Sequence, residues 1–290
     1  MKKFLILVLT PLLLISCNKD KNKEVEKEPS KSFADYGAFL GRGDNDVSNF
    51  SKYEYVSVEL NEFGESNISR LTEHGVKFLA YLNIGSLESF REGQEEYAEL
   101  YDYFSSITFK NYDNWPEERW IDVSNSTWQD FSVNTLAKSF KDSKAYGVYL
   151  DNIDVYTVAK EEGKDEGAYA SGIKNIIKGI SNLGLKVMVN GGSEFLETMN
   201  EADDDIFNYI WAYQQEEVFS LITDYDNNVF KEQVKEDSEY YLQVASMMKE
   251  KGKEVFFLEY TTDENLIEII EKFCNEKEYH FYISNDVDLK

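Results

Sequence analysis

Eight short apolar runs alternate with amphipathic stretches along residues 55–284 of this chain. The runs have the length of buried strands, whereas the stretches between them repeat apolar residues at spacings of three and four, as helices do. The predicted strands are residues 55–60, 77–83, 120–123, 147–150, 186–189, 209–212, 254–258 and 280–284. The clearest predicted helices are residues 128–142, 168–183, 231–251 and 265–277.

Strand and helix alternating in this way predict a parallel sheet with right-handed crossovers. Eight such units in about 258 residues favour a closed (β/α)8 TIM barrel as a single α/β domain over residues 33–290, with an open doubly wound sheet as the alternative. Only six residues follow Ser284, too few for an eighth helix. We therefore expect residues 33–40 to close or cover that side of the barrel.

The amino-terminal residues predict where the protein is located. Two lysines precede an apolar run over residues 4–15, and a Leu-Ile-Ser-Cys sequence ends at Cys17. This is the layout of a secretory signal and resembles the lipobox of bacterial lipoproteins. A transmembrane anchor is less favoured because the run is shorter than the roughly 20 apolar residues that span a bilayer. We expect a signal peptide over residues 1–16 and a lipidated Cys17 on a flexible tether over residues 17–32, which anchors an exported protein at the outer surface of a bacterial membrane.

Composition restricts the possible partners. The formal net charge of −25 repels DNA, RNA and anionic lipid and attracts cations, so we expect no nucleic-acid partner and no membrane contact beyond the lipid anchor. On charge alone, general solubility or a salt-adapted host is the favoured explanation of the acidity. Only Cys274 remains once Cys17 is assigned, so the domain is expected to depend on its core without disulfides. We expect it to be a monomer.

Polar side chains cluster where the predicted strands end. Asp151, Asn152 and Asp154 follow an apolar strand, and in a parallel barrel the carboxyl ends of the strands carry the chemistry. One of the three could serve only as a helix N-cap, but one cap does not need three. Carboxyl groups crowded at one mouth acquire different pKa values, which supplies an acid together with a base or nucleophile, as glycoside hydrolysis requires. The other strand-end positions are Glu59, Asn83, Glu88, Arg91, Asp122, Asn190, Gln215, Glu216, Glu217, Glu259, Asn285 and Asp286.

Other chemistries lack the residues they need. The chain has only two histidines and no cysteine pair for a zinc site, so we expect no metal and no cofactor. It has no Gly-x-Ser-x-Gly nucleophile elbow and no Gly-rich phosphate loop. We expect His74 to lie on the surface and His280, which opens the last strand, to be structural.

Four sequence blocks resemble, in this order, the signature blocks of glycoside hydrolase family 114, the endo-α-1,4-polygalactosaminidase-like barrels. They are residues 79–91 (LAYLNIGSLESFR), 115–122 (WPEERWID), 147–156 (GVYLDNIDVY) and 215–219 (QEEVF). The third block is the most specific, and the fourth is looser because the family typically has Asn-Glu-Gln-Cys-Phe there. The resemblance spans nearly the whole domain and implies a (β/α)8 barrel.

The resemblance implies that Asp151 is the catalytic aspartate and Glu216 the catalytic glutamate. We predict that Glu216 donates a proton and that Asp151 acts as nucleophile or base. Glu217 is an alternative to Glu216, since adjacent side chains of an extended segment point to opposite sides and only one is expected to face the site. The predicted substrate-binding residues are Glu59, Tyr81, Glu88, Arg91, Asp122, Asp154, Tyr156, Asn190 and Glu217.

The implied substrate is an α-1,4-linked galactosamine polysaccharide, whose free amines are cationic and would be attracted to an acidic mouth. Tyr81, Trp120, Tyr156, Trp211 and Tyr213 are candidates to stack on sugar faces, although core packing explains each equally well. Glu88 and Arg91 could form an ion pair that shapes the second loop or an ordinary surface pair. The alternatives to an enzyme are a non-catalytic surface glycan-binding lipoprotein and a solute-binding lipoprotein, which would need two lobes.

Overall fold

The computed structural model of the protein describes residues 32–41, 47–63, 65–73 and 75–290. The predicted signal peptide, Cys17, all but the last residue of the predicted tether and His74 lie outside these residues. Residues 32–290 belong to one compact unit.

A barrel of eight parallel strands forms the centre of the described chain. The strands are β1 (Tyr36–Phe39), β2 (Tyr55–Val58), β3 (Lys77–Asn83), β4 (Gly147–Asp151), β5 (Lys186–Asn190), β6 (Ala212–Glu216), β7 (Glu254–Tyr260) and β8 (His280–Ser284), paired in chain order. Between β8 and β1 the barrel is nearly closed, and the backbone N–H of Phe281 donates to the carbonyl of Phe33 at 3.1 Å. The fold is a (β/α)8 TIM barrel, as predicted.

The predicted strand over residues 120–123 is not part of the barrel. Glu118–Ile121 pairs antiparallel with Ser86–Glu88 and Thr108–Asn111 in a separate three-stranded sheet. This sheet also buries Trp120 and Ile121, so their apolar character could not distinguish the two locations. β1 takes the place in the barrel that was predicted for residues 120–123. Residues 33–40, which we expected to close or cover the open side, therefore complete the barrel.

The sixth barrel strand begins three residues later than predicted. Asp205–Asn208 forms a 3-10 turn. The Asp204 side chain caps this turn by accepting from the backbone N–H of Ile206 at 2.9 Å. The chain extends only afterwards, so β6 carries Gln214 and Glu216 toward the carboxyl end of the barrel.

Nine α-helices occur in the described ranges. They are α1 (Glu65–Glu73), α2 (Tyr101–Ser106), α3 (Ser126–Asp130), α4 (Lys138–Asp142), α5 (Val155–Glu161), α6 (Glu166–Asn182), α7 (Ser193–Glu201), α8 (Lys235–Glu250) and α9 (Glu264–Lys277). The π-helical segment Phe131–Ala137 joins α3 to α4. The three segments together form the helix that was predicted over residues 128–142. α8 begins later than predicted because Val229–Glu232 pairs with Ser220–Asp224 in a hairpin. No helix in the described residues is long and apolar enough to cross a membrane.

The buried residues form two layers. One lies between the strands and the surrounding helices, and it includes the free thiol of Cys274. The other fills the barrel interior with residues such as Tyr36, Leu79 and Phe256. His280 also lies there, stacked on Phe256 with ring centroids 4.4 Å apart and with Nδ1 2.5 Å from Asp35 Oδ1. Its packing supports the predicted structural role.

Candidate active site

Asp151 is the last residue of β4, where the buried strand holds its backbone rigidly. Its half-buried carboxylate accepts from the Asn190 amide at 2.8 Å and from the Tyr81 hydroxyl at 2.9 Å. The next residue, Asn152, has a left-handed conformation with φ of 60°, which turns the chain sharply after the strand. Burial raises the pKa of Asp151, while the donors oppose this by stabilising the charged form.

Glu216 is the last residue of β6 and is also half-buried. Three side chains donate to it: Asn190 at 2.8 Å and Tyr149 at 3.0 Å to Oε1, and Tyr260 at 2.7 Å to Oε2. Burial raises the pKa of Glu216, and the charge of Asp151 raises it further. The two acids therefore oppose each other's ionisation, because the negative charge of one carboxylate disfavours ionisation of the other.

The amide of Asn190 connects the two carboxylates. Its Nδ2 donates to Oδ1 of Asp151 and to Oε1 of Glu216, both at 2.8 Å. Two oxygens that each lie 2.8 Å from one nitrogen are at most twice that distance, 5.6 Å, apart. Because an amide nitrogen directs its two hydrogens about 120° apart, the separation expected from ideal geometry is about 4.8 Å. The predicted pair therefore shares one site.

Glu217 also lines the cavity, so the expectation that only one of the two adjacent glutamates faces it is wrong. β6 ends at Glu216, and Glu217 has a left-handed conformation with φ of 56°, which breaks the alternation of an extended strand. The Glu217 carboxylate accepts from the backbone N–H of Ile222. Burial raises its pKa to about 7. Of these two glutamates, Glu216 is the one that shares the Asn190 donor with Asp151.

Glu59, Glu88 and Arg91 form a buried ionic cluster on the cavity wall. Arg91 donates through Nη2 to Glu59 and through Nε to Glu88, each at 2.7 Å, and its side chain is only 6 % exposed. The predicted ion pair is therefore present and is not an ordinary surface pair. Glu59 and Glu88 line the cavity, whereas Arg91 lies behind them. Burial raises the pKa of Glu88 to about 7 against the opposing effect of Arg91.

Asp154 lines the cavity, whereas Asp122 and Tyr156, like Arg91, do not. The Oδ1 of Asp154 accepts from the N–H of Gly192 at 3.1 Å, so Asp154 does not cap its own helix. The carboxylate of Asp122 instead accepts from the backbone and hydroxyl of Ser124. Tyr156 is buried against Phe195 with ring centroids 5.7 Å apart. The positions of Asp122 and Tyr156 do not support direct contact with substrate.

The cavity has a volume of about 630 Å³ and lies at the carboxyl ends of the strands. Among the five aromatic residues that we predicted for stacking, only Tyr81 lines it. Trp120 stacks on Tyr112, Trp211 packs on Tyr55 and Phe256, and Tyr213 is fully buried. The aromatic residues that line the cavity and that sequence reasoning missed are Phe90, Tyr112, Trp115, Tyr149, Tyr225 and Tyr260.

Sequence reasoning also missed a chain of buried polar side chains beneath Glu216. The Tyr36 hydroxyl donates to the Gln214 amide oxygen, and Gln214 Nε2 donates at 2.8 Å to the Tyr149 hydroxyl, which in turn donates to Glu216. Gln214 and Glu216 lie two residues apart on one strand and so face the same side. That spacing was the available signal for Gln214. Glu118, on the cavity wall, was missed as well.

The described residues do not provide an assembled set of metal ligands. Within the ranges that the structure describes, no group of three or more His, Cys, Asp or Glu side chains is arranged to hold a metal ion.

Comparison with known proteins shows that the barrel with its acidic mouth is that of a carbohydrate-cleaving enzyme. Residues 21–288 match glycoside hydrolase family GH114. The chain therefore belongs to glycoside hydrolase family 114 and is an O-glycosyl hydrolase. The comparison with curated proteins gives no match.

Two similar solved structures have the same fold. One is the glycoside hydrolase domain of PelA from Pseudomonas aeruginosa, with 15% identity, a TM-score of 0.69 and coverage of 89% of this chain and 96% of that chain. The other is Aspergillus fumigatus Ega3 in complex with galactosamine, with 16% identity, a TM-score of 0.66 and coverage of 91% and 95%.

Proposed function

We propose that this glycoside hydrolase cleaves α-1,4-linked galactosamine polysaccharide with Asp151 and Glu216 as its catalytic pair. The observation that carries the proposal is the single amide nitrogen of Asn190 that binds both carboxylates inside one cavity. A glycosidic bond placed between two such groups has an acid on one side and a nucleophile or base on the other.

The electrostatics of the pair support Glu216 as the proton donor. The pKa of Glu216 is raised by burial and by the charge of Asp151, which favours the protonated form of Glu216 when Asp151 is ionised. In the proposed reaction, Glu216 gives its proton to the glycosidic oxygen while Asp151 attacks the anomeric carbon and the glycosidic bond breaks. Glu216 then accepts a proton from water, whose oxygen displaces Asp151 and releases the sugar.

The separation of the carboxylates supports retention of anomeric configuration. Retaining enzymes hold the two groups about 5–5.5 Å apart, whereas inverting enzymes leave about 6.5–9.5 Å for a water molecule. The bound of 5.6 Å applies to one oxygen of each group, and we propose the first arrangement because these two oxygens share a single donor. The proposed product that first appears therefore has the α configuration.

The charge of the cavity supports a cationic amino sugar as substrate. Its lining includes nine acidic side chains, namely Glu59, Glu88, Glu117, Glu118, Asp151, Asp154, Glu216, Glu217 and Asp288. Lys290 is the one basic residue of the lining that the structure describes, and it pairs with Asp288. Such a site favours ammonium groups over neutral acetamides. The galactosamine bound in the Ega3 structure and the family resemblance agree with this substrate class.

Replacement of Asp151 by Asn tests the proposed function. Asp151→Asn keeps the size of the side chain but removes the nucleophile, so release of reducing ends from partly deacetylated polygalactosamine should fall at least about 1,000-fold without loss of folding. Asp130→Asn, an exposed exchange of the same type, is the matched control. Unchanged hydrolysis by Asp151→Asn would reject the assignment, and a β-configured first product in NMR would reject retention.

We also propose that the enzyme is exported and held at the outer surface of a bacterial membrane through lipid on Cys17, with the domain over residues 33–290 beyond a tether. The support is the apolar run that ends at Cys17 in a lipobox-like sequence. Fatty-acid labelling in a bacterial host tests this proposal. Label should be lost in Cys17→Ser, and equal labelling of that variant would refute it.

A further inference from the structure

Glu118 lies on the cavity wall, and its hydrogen bonds use only one of its two carboxylate oxygens. Its Oε2 accepts from the Ser86 hydroxyl, from Asn83 Nδ2 at 3.2 Å and from Asn152 Nδ2 at 3.3 Å. Its Oε1 accepts no hydrogen bond from any residue in the described part of the chain. The residue is only 9 % exposed, and it lines the cavity. An acceptor held in this way is available to a ligand inside the cavity.

No positive side chain in the described ranges forms an ion pair with Glu118. The guanidinium of Arg91 is engaged in the ionic cluster of Glu59, Glu88 and Arg91, where it donates to the other two members. The charged groups that act on Glu118 are Glu88 and Asp151, and the Tyr81 and Tyr112 hydroxyls lie on the same side. Burial and these negative charges raise the pKa of Glu118 to about 8. An incoming cation would favour its ionised form.

Glu118 is joined to the proposed catalytic pair by Asn152. Asn152 directly follows Asp151, donates to Glu118, and accepts from the Tyr112 hydroxyl at 3.2 Å. Tyr112 is in turn held by stacking on Trp120, with ring centroids 4.4 Å apart. Glu118 is therefore held by the residue that follows the proposed catalytic aspartate, and it lines the same cavity as Asp151, whose charge acts on it.

We propose that Glu118 is a specificity-determining residue whose free Oε1 binds the ammonium group of a galactosamine unit adjacent to the scissile bond. This inference rests on the proposed function and adds a named residue to it. An ammonium group donates to the carboxylate and neutralises its buried charge, whereas the acetamide of an N-acetylated unit is uncharged. At pH below about 8, amine binding should release the Glu118 proton to the buffer, because the carboxylate must ionise to form the pair.

Glu118→Gln tests the role of the charge. The amide oxygen can still accept from Ser86, Asn83 and Asn152, but the amide NH₂ replaces the free oxygen and repels ammonium. We expect kcat/KM for fully deacetylated galactosamine oligomers to fall about 10- to 100-fold, mainly through KM, with at most threefold change for oligomers rich in N-acetylgalactosamine. Glu99→Gln, which removes an exposed charge, is the control and should change neither value more than twofold. Thermal unfolding checks that both variants fold.

Equal loss on both kinds of oligomer, or no change in their ratio, would overturn the inference while leaving the proposed function intact. If Glu118→Gln does not fold, calorimetry on the unaltered protein decides the question. Galactosamine binding at pH 6.5 in buffers of different ionisation enthalpy should release up to one proton, and N-acetylgalactosamine should release none. Equal proton release for the two sugars would refute the role of Glu118. Absence of hydrolysis by the unaltered enzyme would reject the proposed function and leave this binding measurement unaffected.

Discussion

Asn190→Ala is the most direct perturbation of the proposed catalytic pair, because one side-chain nitrogen binds both carboxylates. The substitution removes two donors at 2.8 Å, one to Asp151 and one to Glu216, while Tyr81 still donates to Asp151. A hydrogen bond to a charged group contributes about 1.5–3 kcal/mol. Since about 1.4 kcal/mol corresponds to a tenfold change in rate, loss of the bond that orients Asp151 should lower kcat/KM about 10- to 150-fold.

The pH profile should change in a defined direction. The Asn190 amide favours the ionised forms and lowers the pKa of both acids, so its removal raises both. The proposed reaction needs ionised Asp151 and protonated Glu216, and both limbs of a bell-shaped profile should therefore move to higher pH. The assay is reducing-end release from deacetylated polygalactosamine between pH 4 and 9. Asn200→Ala, on an exposed helical position, is the control. An unchanged rate and profile, or a shift to lower pH, would refute this account of Asn190.

Two further predictions concern stability. Glu259 is fully buried and accepts from the backbone N–H groups of Val218, Phe219 and Ser220. Glu259→Gln should therefore lower the free energy of unfolding, measured in urea, by about 2–4 kcal/mol. The exchange of an exposed glutamate, Glu268→Gln, is the control. A loss no larger than that of the control would contradict this role. Burial raises the pKa of Glu118 to about 8 and that of Glu259 to about 7, above their ordinary value of 4.5, so the folded state holds protons that the unfolded chain releases. The contribution of these groups to stability is present below about pH 4.5 and is lost as the pH rises to 8, so the melting temperature should be higher at pH 5 than at pH 8. A higher value at pH 8 would contradict the assignment.

The strand predictions succeeded where a strand is buried on both faces. β3 and β8 have the predicted bounds, because a barrel strand is covered by the interior on one side and by helices on the other, which leaves a continuous apolar run. The same signal misplaced residues 120–123, since the separate three-stranded sheet, here called the accessory sheet, buries its apolar side chains equally well. β1, Tyr36–Phe39, was not predicted as a strand, because its segment was expected only to close or cover the open side of the barrel.

The predictions for the site depended on where side chains point. Asp151 and Asn190 close their strands, so their arrival at one mouth follows from parallel pairing. Asp122 follows an antiparallel strand of the accessory sheet, and the same expectation failed there. The position of Glu217 depended on one left-handed backbone conformation, which breaks the strand alternation that we had assumed.

The order of apolar and polar residues thus determined that this chain alternates strands with helices and that acidic groups follow the strands, because periodicity and burial are local properties. Tertiary structure alone decided which acids meet. Parallel pairing of β4, β5 and β6 brings residues 151, 190 and 216 within hydrogen-bonding distance, and burial in the shared cavity then raises the pKa values of Asp151 and Glu216. Such contacts join positions far apart in the chain, so no local pattern records them.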